Sequence, residues 1–81
     1  MKRVAVHEVV VHSEEQTTER LQMTVVELEG DTVINYYPLT AEQPMTEWWG
    51  GTIEIKHQSG GIMKAYRNGK IINESYNPKS K

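Results

Sequence analysis

Apolar and polar residues alternate along most of this chain with the two-residue period of β-strands, broken by a few turn signals. In residues 3–12, Val4 and Val6 share one face and Val9 and Val11 the other, so the parity changes at Glu8. Residues 19–29 do the same: Leu21, Met23 and Val25 lie on one face, then Val26 and Leu28 on the other. Valine-rich runs of this length favour strands. Folding the two runs about Gln16, with Glu14–Thr18 as the loop, sets Val11 against Leu21, Val9 against Met23, Val6 against Val26 and Val4 against Leu28. Both parity changes then meet at one level of the ladder, whereas a one-residue slip sets apolar residues against polar ones. Such a hairpin either bends at a bulge or lends one end to a second apolar surface. A helix over residues 14–28, opened by a capping box of Ser13 and Gln16, is the competing reading. Thr17, Thr18 and the β-branched run from Thr24 count against it.

The later pattern is simpler. Gly30-Asp31 marks a tight hairpin turn, and Thr32–Tyr37 reads as a third strand closed by Pro38. Residues 38–49 form the longest break, with room for one helical turn over 40–43 capped by Thr40 and stopped by Pro44. Ile53, Ile55 and His57 then alternate with Thr52, Glu54 and Lys56. Ser59-Gly60-Gly61 turns the chain, and Ile62–Arg67 and Lys70–Tyr76 flank Asn68-Gly69, the strongest short hairpin signal present. The turn pairs Tyr66 with Ile71 and Ala65 with Ile72. The predicted fold is all-β: an antiparallel meander of about six strands with one longer connection at 38–49, forming a small barrel or a two-sheet sandwich with no long crossover. Residues 1–76 read as one β domain and residues 77–81 as a flexible tail.

Composition bears on how such a fold is stabilised. With 81 residues the core is small, and roughly 60–70% of the unfolded chain's surface is hidden on folding. There is no cysteine, which removes disulfides and thiolate metal sites; dimerisation remains as a support for a thin core. His7 and Glu8 interrupt the apolar run that follows Lys2 and Arg3, and no stretch is long enough for a signal core or a membrane span, so the expectation is a cytoplasmic protein away from membranes. Residues 1–41 hold three basic and seven acidic side chains and residues 42–81 six and four. This polarity suits contact between subunits and is too weak for a nucleic-acid surface.

Candidate chemistry is sparse. His7 and His12 have opposite parity on one regular strand, with no carboxylate at a spacing that would orient either, and His57 sits on the apolar face beside Ile55. Glu14, Glu15 and Glu19 lack the regular spacing and turn glycine of a calcium loop. Gly50-Gly51 and Gly60-Gly61 fit no phosphate loop, and no serine stands in a nucleophile elbow. The sequence therefore predicts no enzyme, no cofactor and no metal. The aromatic residues are more informative, because the chain has two tryptophans, four tyrosines and no phenylalanine. Adjacent residues of a strand face opposite sides, so Trp48-Trp49 and Tyr36-Tyr37 each send one member away from the main core. The expectation is a small non-enzymatic protein acting through protein–protein contact as a homodimer, with Trp48, Trp49, Met45 and Tyr37 as covered anchors. The alternative is a barrel binding a small ligand at a mouth lined by Trp48 or Trp49 with Tyr36 or Tyr37, which requires a cavity of at least ~300 Å³ beside those rings.

Overall fold

The computed structural model describes residues 1–40 and 45–76. These form seven strands: β1 (Lys2–His12), β2 (Thr18–Glu29), β3 (Thr32–Pro38), β4 (Thr46–Trp48), β5 (Thr52–Gln58), β6 (Ile62–Arg67) and β7 (Lys70–Ile71). The sheet order is β3-β2-β1-β5-β6-β7, with β4 beside the first part of β1. The all-β class and the hairpin-by-hairpin order expected from the alternation hold. Residues 14–28 are loop and strand, not helix. Among the described residues no helix is long and apolar enough to cross a membrane. The proposed helical turn over 40–43 and the proposed tail over 77–81 fall mainly or wholly outside the described residues.

One joint departs from a pure meander. β1 pairs antiparallel with β2, but both β4 and β5 run parallel to it, from Arg3↔Thr46 to Ala5↔Trp48 and from Glu8↔Thr52 to His12↔Lys56. The expectation of no long crossover is thus overturned: the chain leaves β3 on one side of the sheet and returns on the far side of β1. Two antiparallel units, β1-β2-β3 and β5-β6-β7, meet through a parallel seam. Alternation fixes which face a residue takes but not which strand lies alongside, so the sequence pattern fits either arrangement.

The first hairpin is offset by two residues from the expected register, with Val9 opposite Leu21 and Val4 opposite Val26. Its loop explains the offset. The Ser13 amide donates to the Thr17 carbonyl at 3.0 Å, the two side-chain hydroxyls bond each other, and Gln16 takes a left-handed φ of 65°. The loop is therefore Ser13–Thr17, not Glu14–Thr18. An even offset preserves faces, which is why the alternation did not reveal it.

The parity changes are bulges. The amides of His7 and Glu8 both donate to the carbonyl of Gly51, at 3.0 and 3.1 Å, so two residues of β1 oppose one on its neighbour. On β2, Met23 has a φ of 48° at the same level. His7 and Glu8 consequently point the same way, and Val4, Val6, Val9 and Val11 all enter one core with Val26, Leu28, Val33, Ile53, Ile55, Ala65 and Ile72. The two valine pairs serve one surface, not two.

The sheet curls until β3 approaches β6, where the Lys64 ammonium reaches the Asp31 carboxylate at 2.8 Å. Among the described residues no backbone ladder joins these strands, so the single sheet stays open, neither a closed barrel nor two separate sheets. Asn68 (φ 54°) and Gly69 (φ 80°) make the expected tight turn, and Tyr66 pairs with Ile71. The last strand stops at Ile71, well short of the expected Tyr76. Beyond it, Ile72 enters the core, the Glu74 amide donates to the Gly30 carbonyl at 2.9 Å, and the Glu74 carboxylate accepts from the Gly30 amide. This segment closes one end of the core with side chains instead of a ladder.

Candidate functional site

The aromatic pairs divide as strand parity requires. Trp49 is buried at 6% exposure in the core, packed on the Tyr76 ring at 5.0 Å, with the Lys2 ammonium 5.5 Å from its ring centre. Its indole N–H donates to the Glu47 carboxylate. Trp48 lies on the other face and is 49% exposed. Tyr36 packs against the core, whereas Tyr37 does not join it. Met45 is 90% exposed, just before β4. Of the five residues singled out from the sequence, Trp48 and Met45 are thus exposed, Tyr37 is half-buried outside the core, Tyr36 is half-buried against the core, and Trp49 is buried in it.

Cross-strand register aligns the outer residues. Trp48 opposes Ala5, Ala5 opposes Val25, and Val25 opposes Tyr37, giving one row across β4, β1, β2 and β3. At the next outward level Arg3 opposes Glu27. One carboxylate oxygen of Glu27 accepts from the Tyr37 hydroxyl at 2.8 Å and from the Arg3 guanidinium at 3.0 Å. The Tyr37 hydroxyl, with Arg3 adding to it, holds the Glu27 carboxyl below its ordinary value. Burial first, and the Glu27 charge second, push the Tyr37 phenol up.

A depressed carboxyl stabilises the fold fully above its unfolded-state pKa, and that contribution disappears as pH falls through the folded-state value. A raised phenol works oppositely, its contribution being present below the unfolded value and lost as pH rises through the alkaline range. Glu27→Gln is therefore expected to lower stability by about 1 kcal/mol at neutral pH, where a charged acceptor becomes a neutral one. The difference from the parent should shrink as the pH falls below the usual carboxylate range. Urea unfolding of both proteins at neutral and acid pH measures it, and a difference that does not vary with pH would exclude this account of Glu27.

The histidines lie differently from expectation. The bulge places His7 on the same outer side as His12, not the opposite one. His7 Nδ1 accepts the Gly51 amide at 2.9 Å, and its ring stands edge-on to Trp48 at 4.8 Å. The parallel seam brings Glu54 to His12, with 3.0 Å between carboxylate oxygen and Nε2, although no carboxylate stands at a sequence spacing that would orient His12. Both side chains are more than a third exposed, so the pair is a solvated surface contact of small energetic weight. His57 opposes Met63 and is partly buried, as its place beside Ile55 implied. Among the described residues no three histidine or acidic side chains converge as a metal site would require. The signal for His7 was present in the sequence as the parity change one residue later; for His12 there was none.

A hollow of about 360 Å³ opens beside β4, lined by Met1, Lys2, Arg3, Met45 and Glu47. It reaches the size a small ligand needs, but none of the aromatic rings named above lines it. Comparison with known protein families, with curated proteins and with solved structures gave no match.

Proposed function

We propose that this chain is a small non-enzymatic β-sheet protein that works through protein–protein contact, with self-association through the outer face of β4 and β1 as its primary form. The observation that carries the reading is Trp48, half exposed on the outside of the sheet while its neighbour Trp49 anchors the inside. Met45 lies three residues away, just before β4, and is almost fully exposed, so two of the exposed large apolar side chains stand close together in sequence. Tryptophan and methionine are the types enriched at the centres of interfaces. The sheet edges favour contact by side chains over strand addition. β3 carries a bulge between Glu27 and Leu28 of its partner and ends in Pro38, the Tyr36 amide bonds the Asn35 side chain, and β7 has only two residues. A cytoplasmic setting belongs to the same reading, since a cysteine-free core this small suits a reducing compartment.

Sedimentation equilibrium across a wide concentration range tests it. The parent chain is expected to form dimers, and Trp48→Lys to remain monomeric with an unchanged circular-dichroism spectrum. A parent chain that is monomeric at the highest concentrations would remove the self-association reading.

A further inference from the structure

We propose that His7 is a proton-operated latch on the junction between β4 and β5, holding Gly51 and Trp48 in place when neutral and releasing them when protonated. β4 and β5 run beside β1 as one strand interrupted by Trp49-Gly50-Gly51. The interruption contains two successive left-handed residues, Gly50 (φ 66°) and Gly51 (φ 64°), which glycine adopts freely but loses much conformational entropy in fixing, so contacts that hold it there matter. His7 supplies that hold from both its backbone and its ring. Its amide donates to the Gly51 carbonyl at 3.0 Å, and its Nδ1 accepts the Gly51 amide at 2.9 Å.

The second bond fixes the chemistry. An imidazole nitrogen that accepts a hydrogen bond carries no proton, so the ring is neutral with its proton on Nε2. When a solvent proton binds Nδ1, the nitrogen becomes a donor facing the Gly51 N–H, and the bond is replaced by opposed dipoles. The Gly51 carbonyl still accepts from the His7 and Glu8 amides, so the change is confined to the junction. Trp48 follows because its ring stands on the imidazole, and because the indole nitrogen and the His7 ring crowd the same side of Gly50, each about 3.5 Å from where a Cβ would lie.

The charged groups around the latch are few. On β1 the neighbour is Glu8, which is engaged by Arg20 and Gln22 of β2 and by Thr52 of β5. From β6, Arg67 reaches under Gly51 and donates to the Trp49 carbonyl at 3.4 Å. The junction itself presents only Trp48, Gly50 and Gly51. The latch stands on this geometry alone; its effect on association rests on Trp48 being the contact residue proposed above.

Nuclear magnetic resonance on the full chain, at a dilution where it is monomeric, tests the latch. At neutral pH the His7 ring is expected as the tautomer protonated on Nε2. The protection factor of the Gly51 amide should fall about tenfold when acidification protonates the His7 ring, following that ring's own chemical shifts. His7→Asn places an amide oxygen where Nδ1 lies and does not titrate, so it should keep Gly51 protected throughout. His7→Ala should leave Gly51 poorly protected at every pH. A His7 ring protonated on Nδ1 at neutral pH, or parent protection that ignores pH, would overturn the proposal. Sedimentation of the same samples separates the two readings: a chain monomeric at every pH whose Gly51 still follows His7 retains the latch and loses the self-association.

Discussion

Trp49→Ala is expected to destabilise the fold by about 3–5 kcal/mol, and Trp48→Ala by less than about 1 kcal/mol, although the two residues are adjacent and chemically identical. The asymmetry follows from the register. Trp49 belongs to the buried core cluster, packs on the Tyr76 ring, and gives its N–H to Glu47. Its removal leaves a cavity that the surrounding side chains fill only in part. Trp48 is half exposed and lies outside the core cluster, so its removal costs an edge contact with His7 and opens no core cavity. A domain has a stability of roughly 5–15 kcal/mol, so the first substitution removes a substantial share of it. Chemical denaturation followed by far-ultraviolet circular dichroism distinguishes them, and equal losses would mean that the inward and outward assignments are wrong.

The second large effect is at Gly51. Gly51→Ala should lose on the order of 2 kcal/mol, of which about 1–2 kcal/mol comes from placing a side chain at a left-handed backbone position. The remainder comes from Arg67, whose Nη2 lies 2.6 Å from where the new Cβ would stand. That guanidinium already has a buried nitrogen, Nη1, without a hydrogen-bond partner, and moving it off the Trp49 carbonyl leaves a second one poorly satisfied. Gly60→Ala is the internal control, because Gly60 has a similar backbone (φ 82°) but open space around it. The difference between the two losses in thermal or urea unfolding reports the Arg67 displacement, and equal losses would show that backbone strain alone acts at Gly51.

Local features of this fold were legible in the sequence to the extent that they depend on local chemistry. Gly30-Asp31 and Asn68-Gly69 marked hairpins because positive φ has few residue solutions, and the division of Trp48 from Trp49 and Tyr36 from Tyr37 followed from the pleat alone. The parity change at Glu8 was legible as an irregularity, but its meaning was not. The pattern allowed either a bulge or a second apolar surface, and only the shared Gly51 carbonyl distinguishes these: the bulge turns both valine pairs into one core. The two-residue register offset depended on hydroxyl bonds within Ser13–Thr17, which alternation does not encode. The parallel seam was hidden for a different reason. A strand buried on its inner face shows the same pattern whichever way its neighbour runs. The His12–Glu54 contact was hidden with it, since nothing else brings those residues together. At the candidate interface, Trp48, Tyr37 and Met45 were found by type and parity, whereas His7 became significant only once Gly51 was seen beside it.

The seam also sets an order on synthesis. β1 acquires its first neighbour from residues close behind it, but its second edge is covered only by residues forty-four positions later, as with Glu8 and Thr52. While the chain emerges from the ribosome, the three-stranded first unit can form before its complement exists. During that interval it carries an unpaired strand with five valines on its edge, the kind of surface that recruits other nascent chains. The β1–β2 hairpin, with bulges on both strands at one level, is locally bent and twisted, and such an edge is a poor template for flat stacking. The irregularity that brings His7 to Gly51 in the finished protein thus also guards β1 while the second half is still being made.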